Sequence, residues 1–169
     1  MPQEETDRQR TVTWEDPAIT VKAMGDHGGL EWLGLLKDGS LPRPPIGALL
    51  GYRLKDFGPG WALFEMDDGQ WLYNPIGMIH GGALATLMDS AMGCAVHSTL
   101  PKGVGYSTIE FKVNFVHPVK SGVGRVFAEA KAIHVGKSIA TAEATVKDGQ
   151  GRLYAHAVCT CMILRAQKA

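Results

Sequence analysis

The chain has 169 residues, of which 45% are hydrophobic and 20% charged, and its 17 lysines and arginines balance 17 aspartates and glutamates. This length and composition are typical of one globular domain and unlike those of a disordered protein. Because the net charge is zero, the chain offers no electrostatic attraction to nucleic acid or to an anionic membrane surface, and we expect neither as a partner.

The N-terminal part is predicted to be an extension that precedes the main domain. Residues 1–27 are polar and mixed, so we expect them to be loosely held. Residues 28–37 carry leucines at the spacing of a short amphipathic helix. A proline-rich stretch that begins at Leu41 follows and is predicted to be an extended joint. We therefore divide the chain into an extension, residues 1–43, and a main domain, residues 44–169.

The main domain is predicted to contain a hairpin, one long helix and four further strands, in that order. Residues 48–57 and 61–66 are short apolar segments around a Gly-Pro-Gly turn, and residues 69–82 are predicted to be a loop. Residues 83–98 have the length and the Ala, Leu and Met content of a helix. Alternating or β-branched residues then fill four segments, 105–116, 123–135, 138–147 and 152–164. This order predicts an α+β domain in which a single antiparallel sheet packs on one helix.

The first of these four segments alternates clearly between apolar and polar residues. Ile109, Phe111, Val113 and Phe115 fall on one face of the predicted strand, with polar residues between them. Because successive side chains of a strand point to opposite faces, we expect these four to face the same way.

The predicted helix carries almost no charge. It contains no Lys, Arg or Glu, and a helix of this kind is usually buried nearly all round. One sheet covers only one side, so we expect a partner subunit or the N-terminal extension to cover the rest. Asp89 is the one formally charged residue between Asp68 and Lys102. Burying an unpaired carboxylate costs on the order of several kcal/mol, so Asp89 either hydrogen-bonds a neighbouring loop or is held ready as a general base or nucleophile.

Two glycines and a histidine stand where the predicted helix begins. The first backbone N–H groups of a helix have no intrahelical acceptor and lie at the positive end of its dipole. Gly81 and Gly82 would let a substrate approach this backbone, and the site could stabilise a developing oxyanion. His80 would otherwise be a capping residue, and the glycines a tight turn.

The spacing between His80 and Asp89 bears on how a site could be assembled. Nine residues of helix turn through about 900° and rise about 13.5 Å, which places the two side chains far apart. They could not act on one carbonyl within a single subunit. If both serve one site, that site combines helices from two chains, and a twofold dimer would hold two such sites.

The pattern Asn74-x-x-Gly77-x-x-His80-Gly81-Gly82 followed by Asp89 resembles that of the hotdog-fold acyl-CoA thioesterases of the phenylacetate-degradation (PaaI-like) type. The resemblance covers roughly residues 44–165. It implies a sheet wrapped around one long helix and a homodimer whose sheets join edge to edge, often paired again into a tetramer. It also implies an active site at the dimer interface.

The resemblance assigns roles in thioester hydrolysis to individual residues. Asp89 corresponds to the acidic residue that acts as base or nucleophile, and the Gly81 N–H to the donor that polarises the thioester carbonyl. Asn74 and His80 correspond to loop residues that support the carbonyl and the attacking water. Thr108 corresponds to a strand hydroxyl that positions this water. Ser107 is the second choice for that role because its side chain points to the other face.

Binding of acyl-CoA is expected to involve a further group of residues. The backbone at Gly82 is open to a substrate, and Met88 and Met92 would accept an aryl group or a medium-length chain equally well. A turn corresponds to the region where this family often contacts the nucleotide, and it consists of Gly136, Lys137 and Ser138. No HxxxH or HExxH spacing, Walker loop or Rossmann glycine pattern occurs, so we expect no metal and no cofactor besides the CoA of the substrate.

Two other functions are compatible with the resemblance. One is a hotdog-fold hydratase or dehydratase that acts on acyl thioesters, although the order of the HGG motif and Asp89 resembles the thioesterases more. The other is a non-catalytic module that binds acyl-CoA as a sensor. A sensor of this kind usually carries an added DNA-binding domain, and the extension, residues 1–43, is too short to be one.

The cysteines and the N-terminal residues indicate the cellular compartment in which we expect the protein. The three cysteines, Cys94, Cys159 and Cys161, form no CxxC pair, and their odd number argues against a disulfide framework. Residues 1–10 lack the apolar core of a secretory signal, and no apolar run reaches the roughly 18 residues of a membrane span. We therefore expect a soluble, cytoplasmic protein.

Overall fold

A computed structural model describes residues 8–165 of the chain. Its strands are β1 (Tyr52–Gly58), β2 (Trp61–Asp67), β3 (Val104–Phe115), β4 (Arg125–Val135), β5 (Ile139–Asp148) and β6 (Leu153–Arg165). They form one six-stranded sheet in the order β1-β2-β4-β5-β6-β3, and every neighbouring pair is antiparallel. The strands β1 and β3 therefore form the two edges. The predicted hairpin and the four later strands are confirmed.

One long helix, α4 (Gly81–His97), packs on this sheet and contacts β2, β4, β5 and β3. Its sheet-facing side chains, among them Leu87, Met88 and Met92, are fully buried. The helix can approach closely because the strands present small inward residues. These are Ala128, Ala130, Ala140, Ala142, Ala144, Ala155 and Ala157. The predicted α+β fold, with a single sheet on one helix, is confirmed.

The segment before the hairpin is helical where a strand was expected to begin. The helix α3 (Pro45–Leu50) occupies the start of the segment 48–57 that the sequence assigned to a strand. Proline at the first helical position has a backbone angle that favours a helix start. Gly51, with φ of 83°, adopts the left-handed conformation that ends it. The strand therefore begins only at Tyr52.

The N-terminal extension is more ordered than the sequence indicated. The predicted helix over 28–37 is confirmed as α2 (Gly29–Asp38), but a further helix, α1 (Ala18–Asp26), lies within the segment expected to be loosely held. The indole N–H of Trp32 donates to the Thr20 carbonyl at 3.0 Å and so ties the two helices together. Residues 1–7 lie outside the described range.

Helix α2 covers part of the surface of α4 that the sheet leaves uncovered. The Trp32 ring meets the His97 ring edge-on, with 5.3 Å between their centroids, and the N–H of Gly29 donates to the Leu100 carbonyl at 2.9 Å. The extension thus buries the C-terminal end of α4. This agrees with one of the two predicted alternatives, in which the extension rather than a partner subunit covers the helix. Cys94, Cys159 and Cys161 are free and buried. Within residues 8–165, no helix has both the length and the apolar character needed to cross a membrane.

Candidate active site

Helix α4 begins with a backbone donor that no described protein group accepts. His80 is the N-cap, and its Nδ1 accepts a hydrogen bond from the Gly82 N–H at 2.8 Å. The Ala83 N–H donates to the His80 carbonyl at 2.9 Å. Across residues 8–165, the N–H of Gly81 finds no acceptor. It lies at the positive end of the helix dipole and can donate to an oxygen of a ligand.

The capping bond fixes which nitrogen of His80 is available. Because Nδ1 accepts a hydrogen bond from the Gly82 N–H, the neutral ring carries its own proton on Nε2. The side chain is exposed, so Nε2–H is the group with which His80 can reach a water or a carbonyl oxygen.

A cavity of about 280 Å³ lies beside the start of α4 and brings two predicted residues together. Gly81 and Asn74 both line it, with Phe115 and His117 opposite. The Asn74 Oδ1 accepts hydrogen bonds from the N–H groups of Ile76 and Met78, at 3.1 and 3.2 Å. This oxygen closes the loop, which leaves the Asn74 Nδ2 as the side-chain donor that can face a ligand.

The single charged residue of the helix is held by a hydroxyl from the sheet. The Thr108 Oγ1 donates to Oδ1 of Asp89 at 3.0 Å, and it also lies 3.9 Å from the Sγ of Cys161. Asp89 is half-buried rather than sealed in the core. The structure therefore brings together the predicted carboxylate and the predicted strand hydroxyl.

The face on which Thr108 lies depends on a β-bulge. The register of β3 with β6 shifts between Thr108 and Glu110, so Ile109 has no direct partner. Ile109 is 55% exposed, whereas Phe111 and Val113 pack against the core. The expectation that Ile109 shares a face with Phe111 is therefore wrong, because the extra residue reverses the alternation at this point.

Two of the predicted catalytic groups, Gly81 and Asp89, lie far apart within one protomer. Gly81 and Asp89 lie on one continuous helix, eight residues and about 12 Å of helical rise apart. A single thioester carbonyl cannot contact both groups of the same chain.

Four other residues that were predicted to bind substrate differ in their burial and position. Met88 and Met92 are fully buried in the core, and neither lines the cavity beside Gly81. Ser107 is exposed on the outer face of the sheet, opposite to Thr108. Gly82 is exposed at the helix start, and its N–H donates a hydrogen bond to Nδ1 of His80. Contact of these residues with substrate stays a prediction.

The predicted nucleotide-binding turn joins β4 to β5. The Gly136 N–H donates to the Ile139 carbonyl at 2.8 Å, and Lys137 and Ser138 are exposed. The Ser138 carbonyl accepts a hydrogen bond from the N–H of Ile163 at 2.8 Å. Ile163 lies on β6 two residues after Cys161, which is the strand partner of Thr108. Two residues of strand span about 7 Å, so the turn lies at the end of the sheet that carries Thr108.

A second cavity, of about 490 Å³, lies beside α4 one residue from Asp89, and no pattern in the sequence predicts it. Ser90 and Cys94 line it from the helix, and Tyr52 and Tyr106 line it from the sheet. Burial raises the pKa of Cys94 to about 12, with a further contribution from the charge of Asp89. Burial likewise raises the pKa of Tyr106 well above its ordinary value. These side chains are therefore neutral hydrogen-bonding groups.

The described residues offer no cluster for a metal ion. Within residues 8–165, no group of three or more His, Cys, Asp or Glu side chains is arranged to hold one.

Comparison with protein families and with characterised sequences gives concordant results. The family model described as the thioesterase superfamily matches residues 76–155. A Halobacterium salinarum protein provisionally named an esterase is 32% identical over 136 residues, which cover 78% of each chain. A 1,4-dihydroxy-2-naphthoyl-CoA hydrolase from Listeria monocytogenes is 26% identical over 120 residues, which cover 70% of this chain and 95% of that protein.

Solved structures show the same architecture. A thioesterase family protein from Silicibacter pomeroyi superposes with a TM-score of 0.71 and 30% identity, over 79% of this chain and 99% of that one. The E. coli PaaI protein from the phenylacetic acid degradation operon superposes with a TM-score of 0.66 and 21% identity, over 72% and 86% of the two chains. At that identity the second likeness concerns the fold alone.

Proposed function

Since the chain belongs to the thioesterase superfamily, we propose that it hydrolyses acyl-CoA thioesters, with an aryl or a medium-chain acyl group, to a free acid and CoA. The observation that carries this proposal is the bond from Thr108 to Asp89, which presents an oriented carboxylate on the same helix that begins with the unpaired N–H of Gly81. The Listeria relative is named as a CoA thioester hydrolase, which supports CoA as the leaving group.

The chemistry assigned to these groups follows from what thioester hydrolysis requires. The Gly81 N–H donates to the thioester oxygen and stabilises the negative charge that develops there. Asp89 takes a proton from water as the water oxygen bonds to the acyl carbon, or it attacks that carbon itself. The carbon–sulfur bond then breaks, and CoA leaves as a thiolate that needs no strong general acid. In the second route, water then hydrolyses the anhydride between Asp89 and the acyl group, which releases the free acid and restores the carboxylate.

Supporting roles go to groups that lie close to these two. The Thr108 hydroxyl orients the Asp89 carboxylate and, with it, the attacking water. The Nε2–H of His80 and the Nδ2 of Asn74 can each donate to the carbonyl oxygen or to water at the helix start. Lys137, which is exposed in the turn between β4 and β5, would attract a phosphate of CoA.

A site shared between two subunits accounts for the separation of Gly81 and Asp89. The two groups are about 12 Å apart along one helix, so the Gly81 of one chain would act with the Asp89 of another. The edge strand β3, which carries Thr108, pairs within residues 8–165 only with β6, so a second copy could extend the sheet along its other side. The proposed assembly is therefore a dimer or a dimer of dimers.

Replacement of Asp89 tests this proposal directly. Thiol release is measured over a panel of aryl- and alkyl-CoA esters for the wild type, for Asp89→Asn and for a control, Asp26→Asn, whose exposed carboxylate lies at the end of α1. Loss of a general base should lower kcat by about 10²–10⁴-fold, and the control should keep wild-type turnover. Unchanged turnover in Asp89→Asn would remove this residue from the mechanism.

The same panel, with an enoyl-CoA added to it, separates the alternatives. Hydration of an enoyl-CoA without thiol release would indicate a hydratase. Binding of acyl-CoA without either reaction would indicate a non-catalytic binding module.

A further inference from the structure

His117 lines the cavity of about 280 Å³ at the start of α4, and Gly81 of the same chain lines this cavity too. The backbone of His117 is held against the start of β6, because the N–H groups of Val116 and His117 both donate to the Tyr154 carbonyl, at 2.8 and 3.2 Å. The next residue is a proline, which restricts the conformation of His117 further. The imidazole therefore stands on a fixed backbone beside the place where the thioester carbonyl is proposed to bind.

A hydrogen bond determines the tautomer of the His117 ring. Its Nδ1 lies 2.9 Å from the carbonyl oxygen of Leu153, which can only accept a hydrogen bond, so Nδ1 carries the proton. Nε2 of the neutral ring is therefore a proton acceptor. His80 has the opposite arrangement, since its Nδ1 accepts from the Gly82 N–H and its Nε2 carries the proton. The two histidines near the helix start thus offer different chemistry.

Among the described residues that line this cavity, only His117 has a side chain that can take up a proton. The rest of the lining consists of apolar residues, the Gly81 backbone and Asn74, whose amide is not a base. Asp89 of the same chain does not line the cavity and lies about 12 Å further along the helix. A thioester carbonyl at the Gly81 N–H would therefore share its cavity with one base, the imidazole of His117.

Hydrolysis through a nucleophilic carboxylate needs a second base of this kind. Asp89 accepts a hydrogen bond from Thr108 at Oδ1, and across residues 8–165 its Oδ2 accepts none, so Oδ2 is free to attack an acyl carbon. Once it is bonded to that carbon in an anhydride, Asp89 has lost its negative charge and no longer takes a proton from water. A different group has to accept this proton in the second step.

We infer that Asp89 is the nucleophile and that Nε2 of His117 is the general base that hydrolyses the anhydride. This inference rests on the proposed thioesterase function and its shared site, in which His117 and Gly81 belong to one chain and Asp89 to its partner. Water gives a proton to Nε2 as its oxygen bonds to the acyl carbon. The bond from that carbon to Oδ2 of Asp89 breaks, and its electron pair restores the carboxylate. The imidazolium then passes its proton to the CoA thiolate.

The test removes the base but keeps the contact that anchors the ring. In His117→Asn the side-chain amide can still donate to the Leu153 carbonyl in place of Nδ1, but nothing replaces the proton acceptor Nε2. We would measure thiol release with the CoA ester that the wild type hydrolyses fastest. Steady-state kcat should fall by about 10²–10⁴-fold.

Two further variants accompany His117→Asn, and thermal melting verifies that each one folds. His117→Gln places an amide near the position of Nε2, and because an amide is not a base, it should show a similar loss of kcat. His156→Asn replaces an exposed histidine of β6 and should keep the wild-type kcat.

The first turnover separates a base from a residue with a merely structural role. The attack by Asp89 does not use His117, so His117→Asn should still release about one thiol per chain in a rapid burst. Mass spectrometry of the acid-quenched protein should then show the added mass of the acyl group. The double variant Asp89→Asn/His117→Asn should show neither the burst nor the adduct, which would assign the acyl group to Asp89.

Hydroxylamine provides a second readout on the same variants. It attacks an anhydride without help from a general base, so it should raise the steady-state thiol release of His117→Asn. The double variant forms no anhydride and measures the direct reaction of hydroxylamine with the thioester, which is subtracted.

The outcomes distinguish this inference from the proposed function. Wild-type kcat in both His117 variants, or a lowered kcat without the acyl adduct, overturns the inference and leaves thioesterase activity standing. The absence of thiol release by the wild type from every ester in the panel would overturn the proposed function and the inference together.

Discussion

The hydroxyl of Thr108 donates to Oδ1 of Asp89 over 3.0 Å, and a β-bulge one residue further along the strand makes this contact possible. Strict alternation would place Thr108 on the same face as Glu110, towards solvent. Since Ile109 is the extra residue, Thr108 and Phe111 both face the helix. Bulges of this kind re-aim side chains next to active sites.

Removal of this hydroxyl should weaken catalysis without unfolding the protein. Thr108→Val keeps the shape of the side chain but loses the donor to Asp89, so the carboxylate becomes less well oriented. We expect kcat to fall by about 10- to 100-fold, the effect of one hydrogen bond to a charged group. Thr108→Ser should recover most of the activity, and Thr145→Val, on β5, should behave as wild type in the same thiol-release assay. Equal rates in Thr108→Val and wild type would contradict a positioning role.

Access to the Gly81 N–H should be sensitive to a single methyl group. A Cβ at position 81 would lie 3.0 Å from Cζ of Phe115, so Gly81→Ala would crowd the cavity that both residues line, where the thioester carbonyl is proposed to bind. We expect at least a 10-fold loss of kcat/KM. Gly149→Ala is the matched control, because nothing lies within 4 Å of a Cβ there. A rate within twofold of the control would show that the site tolerates the methyl group.

Mixing two impaired variants tests whether subunits share the site. If Gly81 of one chain acts with Asp89 of another, a heterodimer of Gly81→Ala and Asp89→Asn contains one intact site and one doubly damaged site. Co-expression of the two variants with different affinity tags should yield heterodimers with up to half the wild-type activity. Each purified homodimer should show only the reduced activity that its own substitution leaves. Heterodimers as inactive as the parents would indicate that each chain uses its own residues.

The sequence predicts the sheet and the long helix well and singles out Asp89 as a candidate, because each has a local signal. Alternation identifies the strands, an uncharged apolar segment identifies α4, and an isolated carboxylate stands out within it. The bulge at Ile109 and the cavity beside Ser90 have no such signal. Both depend on how distant segments meet, the first on the register of β3 with β6 and the second on the docking of α2.

Docking of the extension depends on a close approach that only glycine allows. A Cβ at Gly29 would overlap the carbonyl of His97, so Gly29→Ala must displace α2 from the end of α4. We expect a loss of about 1–3 kcal/mol, equivalent to a fall in Tm of roughly 2–12 °C for a chain of this size. Gly25→Ala, in α1, meets nothing within 4 Å and should leave Tm unchanged or raise it slightly, since alanine favours a helix. Similar Tm values for the two variants would refute tight docking.

A buried histidine should make the fold sensitive to mild acid. His97 is 1% exposed, neither ring nitrogen has a hydrogen-bond partner among the described residues, and burial lowers its pKa from 6.5 to about 4. As pH falls from 6.5 towards 4, the unfolded chain takes up a proton that the folded chain does not, so stability decreases with acidity across this window. At about 1.4 kcal/mol per pH unit, the loss approaches about 3 kcal/mol at pH 4.

The variant His97→Phe keeps a ring between Trp32 and Tyr106 and removes the titrating group. Its free energy of unfolding should therefore change less between pH 7 and pH 4.5 than that of the wild type, by about 2–3 kcal/mol, whatever the absolute stability of the variant. Urea denaturation at a series of pH values measures this difference. His156→Gln, which alters an exposed histidine, should retain the full wild-type pH dependence. Parallel curves for His97→Phe and wild type would mean that His97 does not couple folding to protonation.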